Sequence, residues 1–223
     1  MIGNKIPITL TLSLMAFFLI LVFSVPIGIY VAKHEDKWYS HAIDIINQIF
    51  MSIPPFFIGI LLTYICGLVL RLFTPGGYVS YEASVVGFVG YLFFPALAIA
   101  IPKIAMTIKL LKSSLLKESK LDYVRTAYSR GNSTNDVLYK HVLKNAMIPA
   151  ITFLGMTLAD IVAGSLIVEQ VFSIPGIGRM LITSISNRDY PVVQAIIAII
   201  AFIVIIVNFC VDIIYKVIDP RMR

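Results

Sequence analysis

Charge is scarce in this chain. Asp, Glu, Lys and Arg make up 13% of its 223 residues, against roughly 25% in a typical soluble domain. Acids are scarcer still, 12 against 18 Lys and Arg. No polar stretch is long enough to fold alone, so a single transmembrane domain over residues 1–223 without a soluble appendage fits the length. Cysteine is limited to Cys66 and Cys210, both inside apolar runs where a small buried hydrophobe is the ordinary role. The three histidines, His34, His41 and His141, are scattered and form no metal-ligand spacing. There is no G-x-x-x-x-G-K-[ST] phosphate loop, no nucleophile elbow and no H-E-x-x-H pair. Catalysis, ATP hydrolysis included, therefore has no footing on this chain, and no cofactor is expected on it.

What is abundant is apolar surface. Hydrophobic residues reach 59% and the mean hydropathy is +0.91, more than a soluble core of this size can use but suited to a bilayer. Five runs are long enough to span a membrane as helices: residues 6–32, 49–73, 85–111, 147–172 and 191–215. The second is entered through Pro54 and Pro55, and the third contains Pro95 and Pro102. Packed membrane helices tolerate such prolines where neighbours satisfy the freed carbonyls. The expected fold is an all-α polytopic bundle of about five transmembrane helices. The first run is too long for a signal-peptide core, has only Lys5 before it and lacks a small-x-small cleavage pattern, so it is read as retained.

Cationic residues orient the bundle. One set of loops carries Lys33, Lys37, Lys109, Lys112, Lys117, Lys120, Arg125, Arg130, Lys140, Lys144, Lys216, Arg221 and Arg223; the other carries Lys5, Arg71, Arg179 and Arg188, and Lys103 lies within a span. The positive-inside bias puts the first set and the C-terminus in the cytoplasm and Met1 outside. Loop bias and anionic lipid account for the +6 net charge without nucleic acid.

The largest hydrophilic island runs from Asp122 to Pro149. Leu121, Val124 and Tyr128 recur at helical spacing, and Gly131 supplies a positive-φ stop. Ser133 with Asp136 three residues on has the spacing of a capping box. A second helix follows, with Val137, Leu138 and His141 on one side. Four ionisable residues lie in or near apolar runs, where an unpaired charge costs at least ~2.5 kcal/mol. Asp160 and Glu169 are candidate pathway residues, and need not share a face. Asp212 is placed to pair with Lys216, and Lys103 to snorkel or to pair across helices.

The island's R-T-A-Y-S-R-G, Arg125 to Gly131, resembles the cytoplasmic loop of permease subunits of binding-protein-dependent ABC importers, usually spelled E-A-A-x-x-x-G. Ala127 and Gly131 match, while Arg125 and Thr126 replace the first two letters. D-Y-V-R-T-A, Asp122 to Ala127, is similar to the dipeptide, oligopeptide and nickel branch. So are H-V-L-K-N-A at residues 141–146, V-E-Q-V-F-S-I-P-G-I-G-R at 168–179, N-R-D-Y-P-V-V-Q at 187–194 and the closing D-I-I-Y-K-V-I-D-P-R-M-R. The resemblance covers essentially the whole chain. It implies a type I ABC importer permease fold in a prokaryotic cytoplasmic membrane. It also implies a further spanning helix and an extracytoplasmic segment ahead of Ile6 that this chain lacks, through truncation, a mis-called start or a split subunit.

The resemblance further implies partners: a second permease subunit, two ATPase subunits carrying ATP and Mg, and an extracytoplasmic binding protein. Asp122, Tyr123, Arg125, Thr126, Ala127, Arg130 and Gly131 would form the ATPase-coupling loop. Pro175, Gly176, Gly178, Arg179, Arg188 and Asp189 would be outer contacts for the binding protein, or simply an interfacial turn. Peptide is the first expected substrate, and nickel or a metal chelate the alternative. A proton-coupled secondary transporter using Asp160 or Glu169 as a relay would have no need of the coupling loop.

Overall fold

The computed structural model describes residues 2–218, with side chains to Ile213 apart from Asp212, so the expected Asp212–Lys216 pair and the end of the C-terminal motif lie outside it. Every regular element among the described residues is helical. The helices are α1 (Ile6–Lys33), α2 (Trp38–Ser52), α3 (Pro55–Leu62), α4 (Val85–Ser119), α5 (Asp122–Ser129), α6 (Thr134–Asp136), α7 (Leu143–Val171), α8 (Ile177–Ser186) and α9 (Tyr190–Ile218). A π-helical segment, Thr63–Val69, prolongs α3, and another, Val137–Val142, joins α6 to α7.

Helix α4 is the axis of the bundle, with α1, α2, α3 and α7 packed around it. Ser84 caps its start, its hydroxyl accepting from the Gly87 N–H at 3.1 Å. Its apolar stripe of Leu92, Ala96, Ile99 and Ala100 meets Leu12, Ala16 and Ile20 of α1 in the main core. Small residues along this seam let the backbones approach closely, as membrane helices require when hydrophobicity alone does not separate protein from lipid. Helix α9 stands apart. It touches α7 and α8, but Phe202, Ile205 and Phe209 are each more than 60% exposed.

Among the described residues four helices are long and apolar enough to cross a membrane, and a bent pair raises the number to five where it counts as one span. That pair differs from the sequence expectation. The second span begins at Trp38 rather than near residue 49, and turns by 103° between α2 and α3. Its first half carries Ser40, Asp44, Asn47 and Gln48, which dilute its hydropathy; Ser40 and Asn47 are buried against α4, so the polar residues mark a packed face rather than a loop. The expected helix after Ser133 and the fourth apolar run also prove to be one continuous helix, Thr134–Val171. The π-helical segment accommodates the join.

Chain direction brings the cationic segments together. The end of α1, the start of α2, the end of α4, α5 and α6 form one end of the bundle, tied by Lys33–Asn135 at 2.8 Å and by the Lys112–Asp44 ion pair. The start of α1, the end of α7, α8 and the 70–84 loop form the other. There Phe73 stacks on Phe94 at 4.5 Å, and Tyr91 donates to the Phe172 carbonyl at 2.6 Å, closing the end of α7.

Candidate functional site

At the basic end, α5 lies across the bundle on two small residues. Val124 and Ala127 are buried in a cluster with Leu111 and Leu115 of α4, Val137 and Val142 of the π segment, and Ala146 and Ala150 of α7. The Leu121–Val124–Tyr128 stripe is therefore only partly the packing face. Leu121 is the extended N-cap residue, and both it and Tyr128 are exposed. Ala127, one residue before Tyr128, takes the inward place because it lets this short helix sit close.

The turn after α5 follows the sequence closely. Gly131 has φ +81°, with its N–H bonded to the Tyr128 carbonyl at 2.9 Å. Asn132 donates its side-chain amide to the Ala127 carbonyl at 3.0 Å. The Ser133 hydroxyl accepts from the Asp136 N–H at 3.2 Å and donates to the Asp136 carboxylate at 2.6 Å. In the second helix Val137 is buried and Leu138 partly so, while His141 is exposed and Val142 takes the inward place. Tyr123 braces α5 against both neighbours: it donates to Glu118 at 2.7 Å and accepts from the Asn145 amide at 3.2 Å. Burial, then the Glu118 bond, push its phenol above the ordinary tyrosine range. Asp122, Arg125, Thr126 and Arg130 stay on the open face, where the Arg125–Asp122 pair at 3.7 Å is almost fully solvated and holds little.

Within the bundle, Lys103 of α4 donates to Asp160 of α7 at 3.0 Å. Two charges that each stood alone in an apolar run are thus partners. The pair is not buried: Asp160 is 66% exposed and Lys103 24% exposed. Glu169, nine residues on, has a different environment. It is fully buried, its Oε1 accepting from the Thr9 hydroxyl at 2.5 Å and its Oε2 from the Gly178 N–H at 2.7 Å and the Arg179 N–H at 3.3 Å. Thr9 in turn accepts from the Ile177 N–H at 3.0 Å. The two side chains together satisfy the first amides of α8, where a negative charge also complements the helix dipole.

The remaining candidates surround this cap. Gly176 is the N-cap residue of α8. Gly178 packs so close to the Leu166 backbone that any Cβ would collide with it. Arg179 donates to the Ser173 carbonyl at 2.6 Å, and Ser173 and Arg188 both have positive φ. Pro175, Arg179 and Asp189 line a cavity of ≈ 670 Å³ that Lys5 also borders. Sequence reasoning missed Thr9, whose partner lies 160 residues away. Nothing local marks it, whereas a lone Lys103 within a span pointed to a pair across helices as one of two readings, with Asp160 as its partner only in the structure. No group of three or more His, Cys, Asp or Glu side chains converges among the described residues.

Residues 24–223 match the family described as binding-protein-dependent transport system inner membrane component. The chain belongs to that family. This inner membrane component is 32% identical over 222 residues to a putative peptide transport system permease protein of Brucella abortus, covering 100% of the chain and 71% of the relative. It is 34% identical over 225 residues to the oligopeptide transport system permease protein AppB of Bacillus subtilis, with the same coverage. It is also 33% identical over 220 residues to the nickel import system permease protein NikB of Staphylococcus aureus, covering 99% of the chain and 63% of the relative. Its fold is similar to that of a chain in the inward-facing MetNI methionine ABC transporter, with a TM-score of 0.71 at 17% identity over 95% of this chain and 93% of that one.

Proposed function

We propose that this inner membrane component is the permease subunit of an ATP-driven importer that moves di- and oligopeptides handed over by an extracytoplasmic binding protein. The observation that carries the mechanical part is α5, a short helix with a polar open face. It is fixed to the ends of α4 and α7 through Val124, Ala127 and Tyr123. Held in a cleft of an ATPase subunit, such a helix passes the closure of the ATPases directly into rigid-body movement of the two helices that carry Lys103 and Asp160. ATP and Mg are bound on those partner subunits. The cationic bias sets α5 and the C-terminus in the cytoplasm, and leaves α8 and its cap facing the binding protein.

A second permease subunit completes the path. Lys103 and Asp160 stand open to the surface at membrane depth, and a charged pair there is costly against lipid. A water-lined interface with a second permease removes that cost, and places Asp160 where it meets the ammonium group of a peptide. The peptide relatives lead this substrate assignment. Nickel is the second reading, because NikB is similar at nearly the same identity, although nickel favours imidazole and thiolate donors.

The test is reconstitution with the binding protein, the second permease and the ATPases, followed by uptake of a radiolabelled tripeptide and of nickel in separate vesicles. ATP-dependent tripeptide uptake is expected. Nickel uptake without peptide uptake would replace the reading by its alternative, and uptake independent of ATP would remove the importer assignment.

A further inference from the structure

One face of α4 carries Lys103, Met106, Leu110, Ser113 and Lys117, spaced three and four residues apart, and Lys120, the C-cap residue, continues the series. Such residues form a single stripe along an α-helix. The stripe begins at the ion pair with Asp160 and ends in an open recess of ≈ 720 Å³ between α2 and α4. Lys109, Lys112, Lys117 and Lys120 line the recess, with Asp44 the one acid among them. Lys112 is neutralised by Asp44 and Lys109 donates to the neutral Gln48 side chain at 2.9 Å, which leaves three cations unbalanced. Asn47, 5% exposed, also lines the recess, and its side-chain NH₂ has no acceptor. The Asn47 amide is closed off from the recess, so it is the three unbalanced cations around an open space that suit an acceptor of negative charge.

The length of the feature says which acceptor. Lys109 and Lys120 are about 16 Å apart along the helix axis, whereas the headgroup layer on one side of a bilayer is only about 5–7 Å deep. The recess is thus longer than the lipid phosphate layer is deep, and lipid phosphate alone does not fill it for a helix along the bilayer normal. Lys103 and Lys117 are about 21 Å apart, and an extended peptide covers at most 3.3–3.6 Å per residue. With its ammonium at Asp160, a peptide of about three to six residues has its carboxylate between Lys109 and Lys117.

We propose that the recess is an anion subsite on the translocation route, which takes the terminal carboxylate of the peptide on its way to the cytoplasm. The subsite rests on the peptide reading given above. Asp160 and the recess then hold the two ends of a zwitterion, and the stripe between them, Met106 and Leu110 included, offers no charge to trap the middle.

The experiment uses the complete reconstituted importer and two hexapeptides of one sequence, long enough to reach from Asp160 to Lys117, one a free acid and one a C-terminal amide. Uptake is measured for wild type, Lys117→Gln/Lys120→Gln and Lys117→Arg/Lys120→Arg, normalised to assembled complex. Any preference of the binding protein is common to all three and cancels. The Gln variant is expected to lower uptake of the acid by about fivefold, to leave the amide unchanged, and to be rescued by the Arg variant. Equal loss for both peptides, or no loss for either, overturns the subsite. So does a wild type that falls to the Gln variant's level in pure phosphatidylcholine vesicles, because the lysines then read anionic lipid. A wild type that carries neither peptide refutes the peptide reading itself, and the subsite with it.

Discussion

Replacing Glu169 separates two roles that its position permits. If the carboxylate caps α8, its loss is a loss of stability; if it acts in the pathway, its loss is a loss of transport. Glu169→Gln keeps one carbonyl oxygen for the Gly178 and Arg179 amides but turns an NH₂ toward Thr9, whose hydroxyl hydrogen then loses its acceptor. That change removes one hydrogen bond and the charge at the helix N-terminus, together about 1–2 kcal/mol. Glu169→Ala strands the Thr9 hydroxyl and two amides in a dry site, for about 3–5 kcal/mol after partial relaxation. Thr9→Val strands the Ile177 amide and costs about 2 kcal/mol. Because Thr9 and Glu169 share one bond, the Thr9→Val/Glu169→Gln pair should fall short of additivity by about 1 kcal/mol. The assay is unfolding in mixed micelles titrated with dodecyl sulfate, followed by helical circular dichroism, alongside uptake. A Glu169→Ala protein within about 0.5 kcal/mol of wild type would refute the cap. Full stability of Glu169→Gln with abolished uptake would return the acid to the pathway.

Three further outcomes are expected. Gly131→Val should insert and assemble but lose ATP-dependent uptake, because a β-branched residue strains at φ +81°; normal uptake would remove the docking turn from the coupling route. Cysteine probes at Asn135 and Ser186 should label only from the cytoplasm and only from outside, respectively, and the reverse pattern would invert the orientation. Asp160→Asn should reduce uptake of cationic peptides more than of matched neutral ones, since only the former lose a counter-charge. Equal loss with a poorer yield of complex would make the Lys103–Asp160 pair structural glue.

The elements most legible in the sequence were those whose cause is local. Gly131 and the Ser133–Asp136 cap depend on backbone geometry within a few residues, and the structure realises both. The apolar ends of α1 and α9 follow from run length alone. The bent span was hidden because hydropathy averages over all faces of a helix. Ser40 and Asn47 lower the mean while facing α4, and the window cannot tell a polar packed face from a loop. Leu121 misled for a related reason: periodicity assumes the helix is present, and this residue sits extended just before it.

Acids in apolar runs showed the limit most clearly. Asp160 and Glu169 look alike in sequence, each a lone carboxylate in an apolar stretch, yet their surroundings are opposite. Glu169 is enclosed by a hydroxyl from α1 and the opening amides of α8, a set of donors assembled from residues 9, 178 and 179. Asp160 has one partner, Lys103, and otherwise faces out. A carboxylate with three donors in a buried site has its hydrogen bonds supplied within this chain. A carboxylate two-thirds exposed, on a helix that also belongs to the core, is incomplete until water, a second subunit or a substrate covers it. Exposure is thus what separates the acid whose donors this chain supplies in full from the acid left open to a further partner.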